Sequence, residues 1–225
     1  MFDGIAPAYD RLNHLLSLGA DRTWRMRSLR GAVSPDSPQS ILDIACGTGD
    51  LSLQIARMMH PGSHVTSVDI SPKMLEVMER KVLENKLGNK INIVTASAED
   101  LPFADNSFQL VTVAFGIRNF EDREAALAEM LRVTDRGGRV LVLELSEPSN
   151  SLMRRIYEFG FGKAAPLIGG LISGNRNAYS YLPESVRSFP DREKWMATMR
   201  NCGWKNVTHK AFTFGACRLY TGIKE

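Results

Sequence analysis

Short apolar runs alternate with amphipathic stretches along the middle of the chain. Four runs bounded by turn residues are typical of buried strands: SILDIA (40–45), HVTSVDI (64–70), INIVTA (91–96) and FQLVTVAF (108–115). Helical periodicity separates them over LSLQIARMM (51–59), from Pro72 to about Asn85, and over DREAALAEMLRV (122–133). A fifth strand, RVLVLEL (139–145), is expected after a turn at Gly137 and Gly138.

Strands that alternate with helices indicate βαβ units, so we predict an α/β fold with a doubly wound, mostly parallel sheet. A further helix over 191–204 and a closing pair of strands over 206–212 and 217–225 bring the predicted sheet to seven strands. In such sheets the ligand lies at the carboxyl ends of the strands. That edge follows four residues: Ala45, Asp69, Ala96 and Ala114.

Composition limits the function further. The 225 residues are 44% hydrophobic, which suits one domain, and the net charge of +3 is too small to indicate a nucleic-acid partner. The three cysteines form no CxxC pair, so we predict neither a disulfide framework nor a metal site. The sequence begins without a secretory signal pattern and contains no apolar stretch long enough to cross a bilayer, which favours the cytoplasm.

The segment LDIACGTGDLS lies where the first strand turns into its helix. Gly47 and Gly49 allow a ligand to approach the backbone, but Ser52 stands where a dinucleotide motif would have its third glycine. Asp43 and Asp50 place carboxylates where a pyrophosphate would need bare N–H groups. The turn therefore favours a ligand with a cationic group over an anionic one.

Asp69 ends the second predicted strand, 22 residues after Gly47, where a carboxylate can accept hydrogen bonds from two ribose hydroxyls. A ribose with a cationic tail that lacks phosphate describes S-adenosylmethionine. The alternative is that the glycines only close a tight turn and that Asp69 only caps the next helix.

Several longer motifs carry a family resemblance: MFDGIAPAYDRLNHLLSLGADRTWR, LDIACGTGDLS, VDISPKML, ASAEDLPFADNSF, AFGIRNF, RVTDRGGRVLVLELSEP and YSYLPESVRSFPD. Together they resemble the ubiquinone/menaquinone biosynthesis C-methyltransferase family from Phe2 to about Pro190. The family motif usually follows a short leader, whereas here it begins at residue 2, so we expect an N-terminal piece to be missing. The resemblance implies a Rossmann-like, class I S-adenosylmethionine-dependent methyltransferase, with one domain over 1–225, an N-terminal helical lid over about 1–31 and a substrate-side insert over about 148–190.

The resemblance also implies which residues contact the cofactor: Gly47, Thr48, Gly49, Asp69, Ser97 and Ala98. Three positions depart from the family's usual pattern. Ala45 stands where glycine is common, Ser97 where Asn or Asp is common, and Ala114 where serine is common. Backbone contacts survive the change at Ser97, but a side-chain contact at position 114 would be lost.

The implied reaction is methyl transfer to a ring carbon of a reduced, prenylated quinone. Demethylmenaquinol, which would give menaquinol, is the first expectation, and 2-methoxy-6-polyprenyl-1,4-benzoquinol is the alternative. Arg118 and Asn119 follow the fourth strand and are our candidates to stabilise a phenolate; the alternative for Arg118 is a surface ion pair. Tyr9, Asp10 and His14 are expected to fold over the cofactor, with His14 either a base or a structural residue.

The segment 151–175 is apolar and glycine-rich, and it carries Arg154 and Arg155. It is expected either to line a channel for the isoprenoid tail and touch a membrane, or to pack over the sheet edge.

The residues after the fourth strand argue against a nucleic-acid amino-methyltransferase. Such an enzyme would carry Asn or Asp before Pro-Pro-aromatic, where this chain has AFGI. A non-catalytic binding module on the same fold stays open, and the sequence does not predict the oligomeric state.

Overall fold

Seven strands form a sheet at the centre of the structure, a computed structural model that describes residues 6–148 and 184–225. The strands are β1 Ser40–Ile44, β2 His64–Asp69, β3 Ile91–Thr95, β4 Phe108–Ala114, β5 Thr134–Leu145, β6 Lys205–Phe212 and β7 Cys217–Ile223. The helices are α1 Ala6–Leu16, α2 Ala20–Leu29, α3 Asp50–Met58, α4 Pro72–Glu84, α5 Arg123–Val133 and α6 Arg192–Asn201. Single 3-10 turns occur at Ile117–Asn119 and Thr213–Gly215.

The strand order is β3-β2-β1-β4-β5-β7-β6, which confirms the predicted α/β fold. The first five strands are parallel, and β7 is antiparallel to both of its neighbours. The chain winds outward from β1 to β3 and then returns to β4 on the other side of β1. The crevice at this switch point opens at the carboxyl ends of β1 and β4, where a ligand is expected.

Alternate residues of the strands enter two apolar layers, one on each face of the sheet. Ile41 packs with Trp24 and Leu29 of α2 and with residues of α3 and α4. Leu42, its neighbour along β1, packs on the other face with residues of α5 and α6. Since both faces of the central strands β1 and β4 are covered, these strands are apolar almost throughout, which is why they are recognisable in the sequence.

The fifth strand begins earlier than predicted. It starts at Thr134 and runs through Gly137 and Gly138, and its pairing with β4 shifts between Phe108 and Leu110. Gly137 has φ +76, and a β-carbon on Gly138 would lie 2.7 Å from the Thr134 Cγ2. The two glycines therefore form a bulge inside the strand rather than a turn before it.

The N-terminal segment divides into two helices with different surroundings. Trp24 and Leu29 of α2 are buried, and the Trp24 indole donates to Thr213 Oγ1 over 2.9 Å, so α2 belongs to the core. A covering role therefore stays a prediction for α1. Most of the predicted insert, 149–183, lies outside the described residues. Within the described residues, none of the helices has both the length and the apolar character needed to cross a membrane.

Candidate active site

Both central strands end in a residue with left-handed backbone geometry. Ala45, directly after β1, has φ +51, and Phe115, directly after β4, has φ +61. This conformation is strained for residues with a β-carbon and concentrates at functional sites. It turns the chain sharply at the end of each strand and keeps the crevice between them open.

The glycine turn uses its two glycines differently. Gly49 has φ +87, and a β-carbon there would lie 2.6 Å from the Met78 Cγ, so close packing against α4 requires glycine. Gly47 has φ +56 but has open space around its missing β-carbon. That space leaves the backbone of Gly47 approachable, as the sequence predicts for a cofactor contact.

Asp69 connects the ends of β1 and β2. Its Oδ2 accepts the Gly47 N–H over 2.8 Å, and its Oδ1 accepts the Ser71 N–H over 2.9 Å. The carboxylate borders a cavity of about 390 Å³ whose walls also include Ser97, Ala98 and Asn119. Three of the predicted cofactor contacts therefore share one cavity. Glu99, another wall residue, accepts a hydrogen bond from the Ser97 hydroxyl.

Asp43 lies beneath the glycine turn and is fully buried. Ser52 and Thr112 each donate a hydroxyl to its carboxylate, at 2.5 Å and 2.9 Å. Burial raises the pKa of Asp43 from 3.8 to about 6, against the opposing effect of these hydrogen bonds. The carboxyl borders a second, narrow cavity of about 30 Å³. Ala45, directly after β1, lines both cavities.

Side-chain contacts hold α1 against the glycine turn. The Thr48 hydroxyl donates to Asp10 Oδ1 over 2.5 Å, and the other Asp10 oxygen lies 2.6 Å from the Lys81 Nζ. Lys81 also pairs with Asp50 at 2.8 Å. The Thr48 hydroxyl thus contacts α1, and the cofactor contact of Thr48 stays a prediction. The sequence motif that contains Asp10 does not indicate that Asp10 accepts a hydrogen bond from Thr48.

His14 and Arg25 meet two acids beside the same turn. His14 Nδ1 lies 2.7 Å from Asp21 Oδ2, and His14 Nε2 lies 3.6 Å from Asp50 Oδ2. Arg25 Nη1 lies 2.5 Å from Asp21 Oδ2 and 3.7 Å from Asp50 Oδ2. His14, Asp21 and Asp50 are grouped closely enough to hold a metal ion, but the guanidinium already supplies a cation there.

Hydrogen bonds and neighbouring charges, rather than burial, determine the direction of the pKa shifts of Asp50 and Asp21. Burial raises the pKa of Asp50, but Arg25 and Lys81 outweigh it and lower the pKa below its ordinary value. For Asp21, burial is likewise outweighed by the Ser17 hydrogen bond and by Arg25, so its pKa is also lowered. Both carboxylates are therefore anions at neutral pH.

Arg118 is buried, unlike the surface arginine of the alternative interpretation. Its Nη1 lies 2.7 Å from Glu144 Oε1 and donates to the Phe115 carbonyl over 2.5 Å. Asn119 borders the larger cavity. Sequence reasoning missed Glu144, although an acid within the apolar run RVLVLEL is a signal for a buried partner. The catalytic assignment of Arg118 and Asn119 stays a prediction.

The residues suit S-adenosylmethionine better than a dinucleotide. The glycine turn is surrounded by carboxylates, which disfavour a pyrophosphate and favour a cationic group. The wall of the larger cavity includes an acid, Asp69, and the small residues Ala96 and Ala98, where a flat base can approach the backbone.

Comparison with known proteins identifies the family. Residues 1–224 match the ubiE/COQ5 methyltransferase family. The chain is 45% identical over 224 residues to the ubiquinone/menaquinone biosynthesis C-methyltransferase UbiE of Geotalea daltonii, covering 100% of this chain and 94% of the relative. It is 44% identical over 222 residues to the demethylmenaquinone methyltransferase of Thermus thermophilus, covering 99% of each chain.

The fold resembles that of an S-adenosylmethionine-dependent methyltransferase from Aquifex aeolicus. The TM-score is 0.68 at 13% identity, covering 95% of this chain and 97% of the other. Since the match to the ubiE/COQ5 family spans nearly every residue, the chain belongs to that family and is an S-adenosylmethionine-dependent methyltransferase.

Proposed function

We propose that the protein transfers a methyl group to a ring carbon of a reduced, prenylated quinone, with demethylmenaquinol as the preferred acceptor. The observation that carries the proposal is the family match over residues 1–224. The relative from Thermus thermophilus is named for demethylmenaquinone, which favours the naphthoquinol. The relative from Geotalea daltonii is named for both ubiquinone and menaquinone, so 2-methoxy-6-polyprenyl-1,4-benzoquinol is the second candidate.

The two cavities support a division of the cofactor site. We assign the ribose to Asp69 and the base to the wall formed by Ser97 and Ala98, because these residues share the larger cavity. Gly47, Thr48 and Gly49 would hold the amino-acid end through the backbone of the turn. When bound, S-adenosylmethionine supplies an electrophilic methyl group.

The acceptor carbon becomes nucleophilic when the neighbouring hydroxyl loses its proton, so the site must stabilise a phenolate. Asn119 is a donor at the rim of the larger cavity. Arg118, fixed by Glu144, supplies a permanent positive charge beside it. We assign these two residues to the substrate oxygen.

The deciding experiment is methyl transfer by the purified protein from labelled S-adenosylmethionine to a panel of reduced naphthoquinols and benzoquinols. We expect incorporation into a demethylnaphthoquinol to exceed incorporation into any benzoquinol. A preference for benzoquinol would select the second candidate. Absence of label from every quinol, in protein that binds S-adenosylhomocysteine, would contradict the proposal.

We also propose a reducing, cytoplasmic location with peripheral membrane contact. Cys46, Cys202 and Cys217 are free, which suits a reducing compartment. The membrane contact rests on the apolar sequence 151–175, because a long isoprenoid tail must be collected from a bilayer.

A further inference from the structure

Arg25 lies at the narrow cavity beside the glycine turn. It is the last residue of the N-terminal motif, but it is not among the cofactor contacts that the family resemblance implies. It belongs to α2, and its side chain is only 8% exposed. The cavity wall also includes Asp43, Ala45, Asp50 and Phe115. A buried guanidinium is retained only where its charge and its donors have partners.

The partners of Arg25 within the described residues account for one end of its guanidinium. Nη1 contacts Asp21 and, at 3.7 Å, Asp50. The Phe115 ring lies 5.1 Å from Cζ and stacks against the guanidinium without accepting an N–H in its plane. Among the residues that the structure describes, Nε and Nη2 have no hydrogen-bond acceptor. Arg25 can therefore still donate to another group.

The two acids that contact Arg25 do not depend on it alone. Asp21 also accepts the Ser17 hydroxyl over 2.7 Å and lies 2.7 Å from His14. Asp50 pairs with Lys81 at 2.8 Å. A ligand that engages the remaining donors of Arg25 would therefore leave neither carboxylate without a partner.

The neighbouring charges indicate which ligand group suits Arg25. Arg25 is the one basic residue in the described wall of the narrow cavity, and its charged companions there are Asp43 and Asp50. An ammonium or sulfonium group suits the acids, but a carboxylate requires a cation. Arginine is the side chain that binds carboxylates through paired N–H groups. Ala45 lines both the narrow cavity and the larger one, so the two cavities share the end of β1.

We propose that Arg25 binds the carboxylate of the amino-acid end of S-adenosylmethionine, which makes α2 part of the cofactor site. The inference rests on the cofactor of the proposed reaction but not on the identity of the methyl acceptor. It also explains why an arginine is buried among acids beside the glycine turn.

The test compares ligands that differ only at the amino-acid end. Binding of S-adenosylhomocysteine and of 5′-methylthioadenosine, which lacks the amino acid, is measured by calorimetry for the wild type and Arg25→Met. We expect Arg25→Met to weaken S-adenosylhomocysteine binding about tenfold to a hundredfold and to leave 5′-methylthioadenosine binding unchanged. Likewise, we expect the wild type to bind S-adenosylmethionine more tightly than its decarboxylated form and Arg25→Met to bind the two equally. Arg27→Met, an exposed change of equal charge in the same helix, is the matched control and should change neither ligand.

Arg25→Lys keeps the charge beside Asp21 and serves if the methionine variant does not fold. It should weaken S-adenosylhomocysteine binding by a smaller factor and again spare 5′-methylthioadenosine, because it lacks the paired donors. Equal loss of both ligands in a folded variant, or unchanged binding of both, would overturn the proposal. A protein that passes this test but methylates no quinol would contradict the proposed function and leave the role of Arg25 intact.

Discussion

Gly116 lies so close to Ala45 that a β-carbon on Gly116 would come within 2.5 Å of the Ala45 β-carbon. We expect Gly116→Ala to destabilise the fold by about 1–3 kcal/mol, because the two central strand ends cannot separate freely. The next neighbour of that position, Val113 Cγ2, is at an ordinary 3.6 Å. Urea unfolding followed by circular dichroism measures the change.

Ala45→Gly provides the control. It removes the opposing β-carbon, so Gly116→Ala should cost almost nothing in that background. Ala45→Gly alone should be nearly neutral, since relief of the left-handed strain is offset by the greater freedom of the unfolded chain. If Gly116→Ala destabilises both backgrounds equally, the contact with Ala45 is not the cause.

Asp69→Ala should weaken S-adenosylhomocysteine binding about thirtyfold to a thousandfold, because two ribose hydroxyls lose their acceptor. Calorimetry measures the affinity. Asp69→Ala also removes the hydrogen bonds from the Gly47 and Ser71 N–H groups, and thermal unfolding measures the loss of stability that this causes. Asp100→Ala removes an exposed acid near the same edge and should have no effect. Unchanged S-adenosylhomocysteine affinity in Asp69→Ala would contradict the ribose assignment. NAD should not bind to the wild type, and micromolar NAD affinity would favour the dinucleotide site that Asp43 and Asp50 argue against.

Arg118→Met should lower the rate at saturating substrate about a hundredfold while cofactor affinity stays nearly constant. The same change leaves Glu144 buried without its cation, which we expect to cost about 3–5 kcal/mol of stability. The double variant Arg118→Met/Glu144→Gln removes that unpaired charge. It should recover much of the stability but not the rate, whereas recovery of both would reduce Arg118 to a structural residue.

Because of Asp43, the free energy of unfolding should fall as the pH rises from 4 to 6. The folded state raises its pKa from 3.8 to about 6, so the folded protein binds the proton more tightly than the unfolded chain. The stabilisation that this tighter proton binding gives the folded state is fully present below pH 4. It is lost as the pH rises through 6, and the free energy of unfolding changes by about 3 kcal/mol. Asp43→Asn cannot ionise, so the difference in unfolding free energy between it and the wild type should follow this course. A difference that does not vary with pH would contradict it.

Phe161→Asp and Ile168→Asp, in the segment outside the described residues, test the predicted tail contact. We expect both variants to bind liposomes less and to lose activity on long-tailed quinols, because each buried methylene contributes about 0.8 kcal/mol. Activity on an analogue without a tail should persist. Equal loss on both substrates would mean that the segment packs against the protein instead.

The sequence predicts those features that depend on neighbours along the chain. The alternation of apolar runs identifies the sheet, and the acid that ends β2 identifies Asp69. Arg118 and Glu144 are 26 residues apart, yet they follow Ala114 and Leu143, which are paired in the parallel register of β4 and β5. The sequence does not specify the register of β4 against β5, so this ion pair cannot be predicted from it.

Arg25 was missed for a different reason. The cofactor contacts that the resemblance implies all lie at or after the ends of strands, whereas Arg25 closes the N-terminal motif on a helix that precedes β1. Its position at the cavity depends on how α2 packs, through Trp24 and Leu29, against the sheet. Packing of this kind leaves no periodic signal around a single polar residue.

The order of strands in the sheet also has a consequence for synthesis on the ribosome. β7 is the last strand along the chain, yet it lies between β5 and β6 and pairs with both. While the chain is being made, β1 to β5 can pair as soon as they emerge, but β5 keeps an open edge and β6 has no place in the sheet. The half that carries the glycine turn can thus assemble early, whereas the sheet is completed only after residues 217–223 have left the exit tunnel.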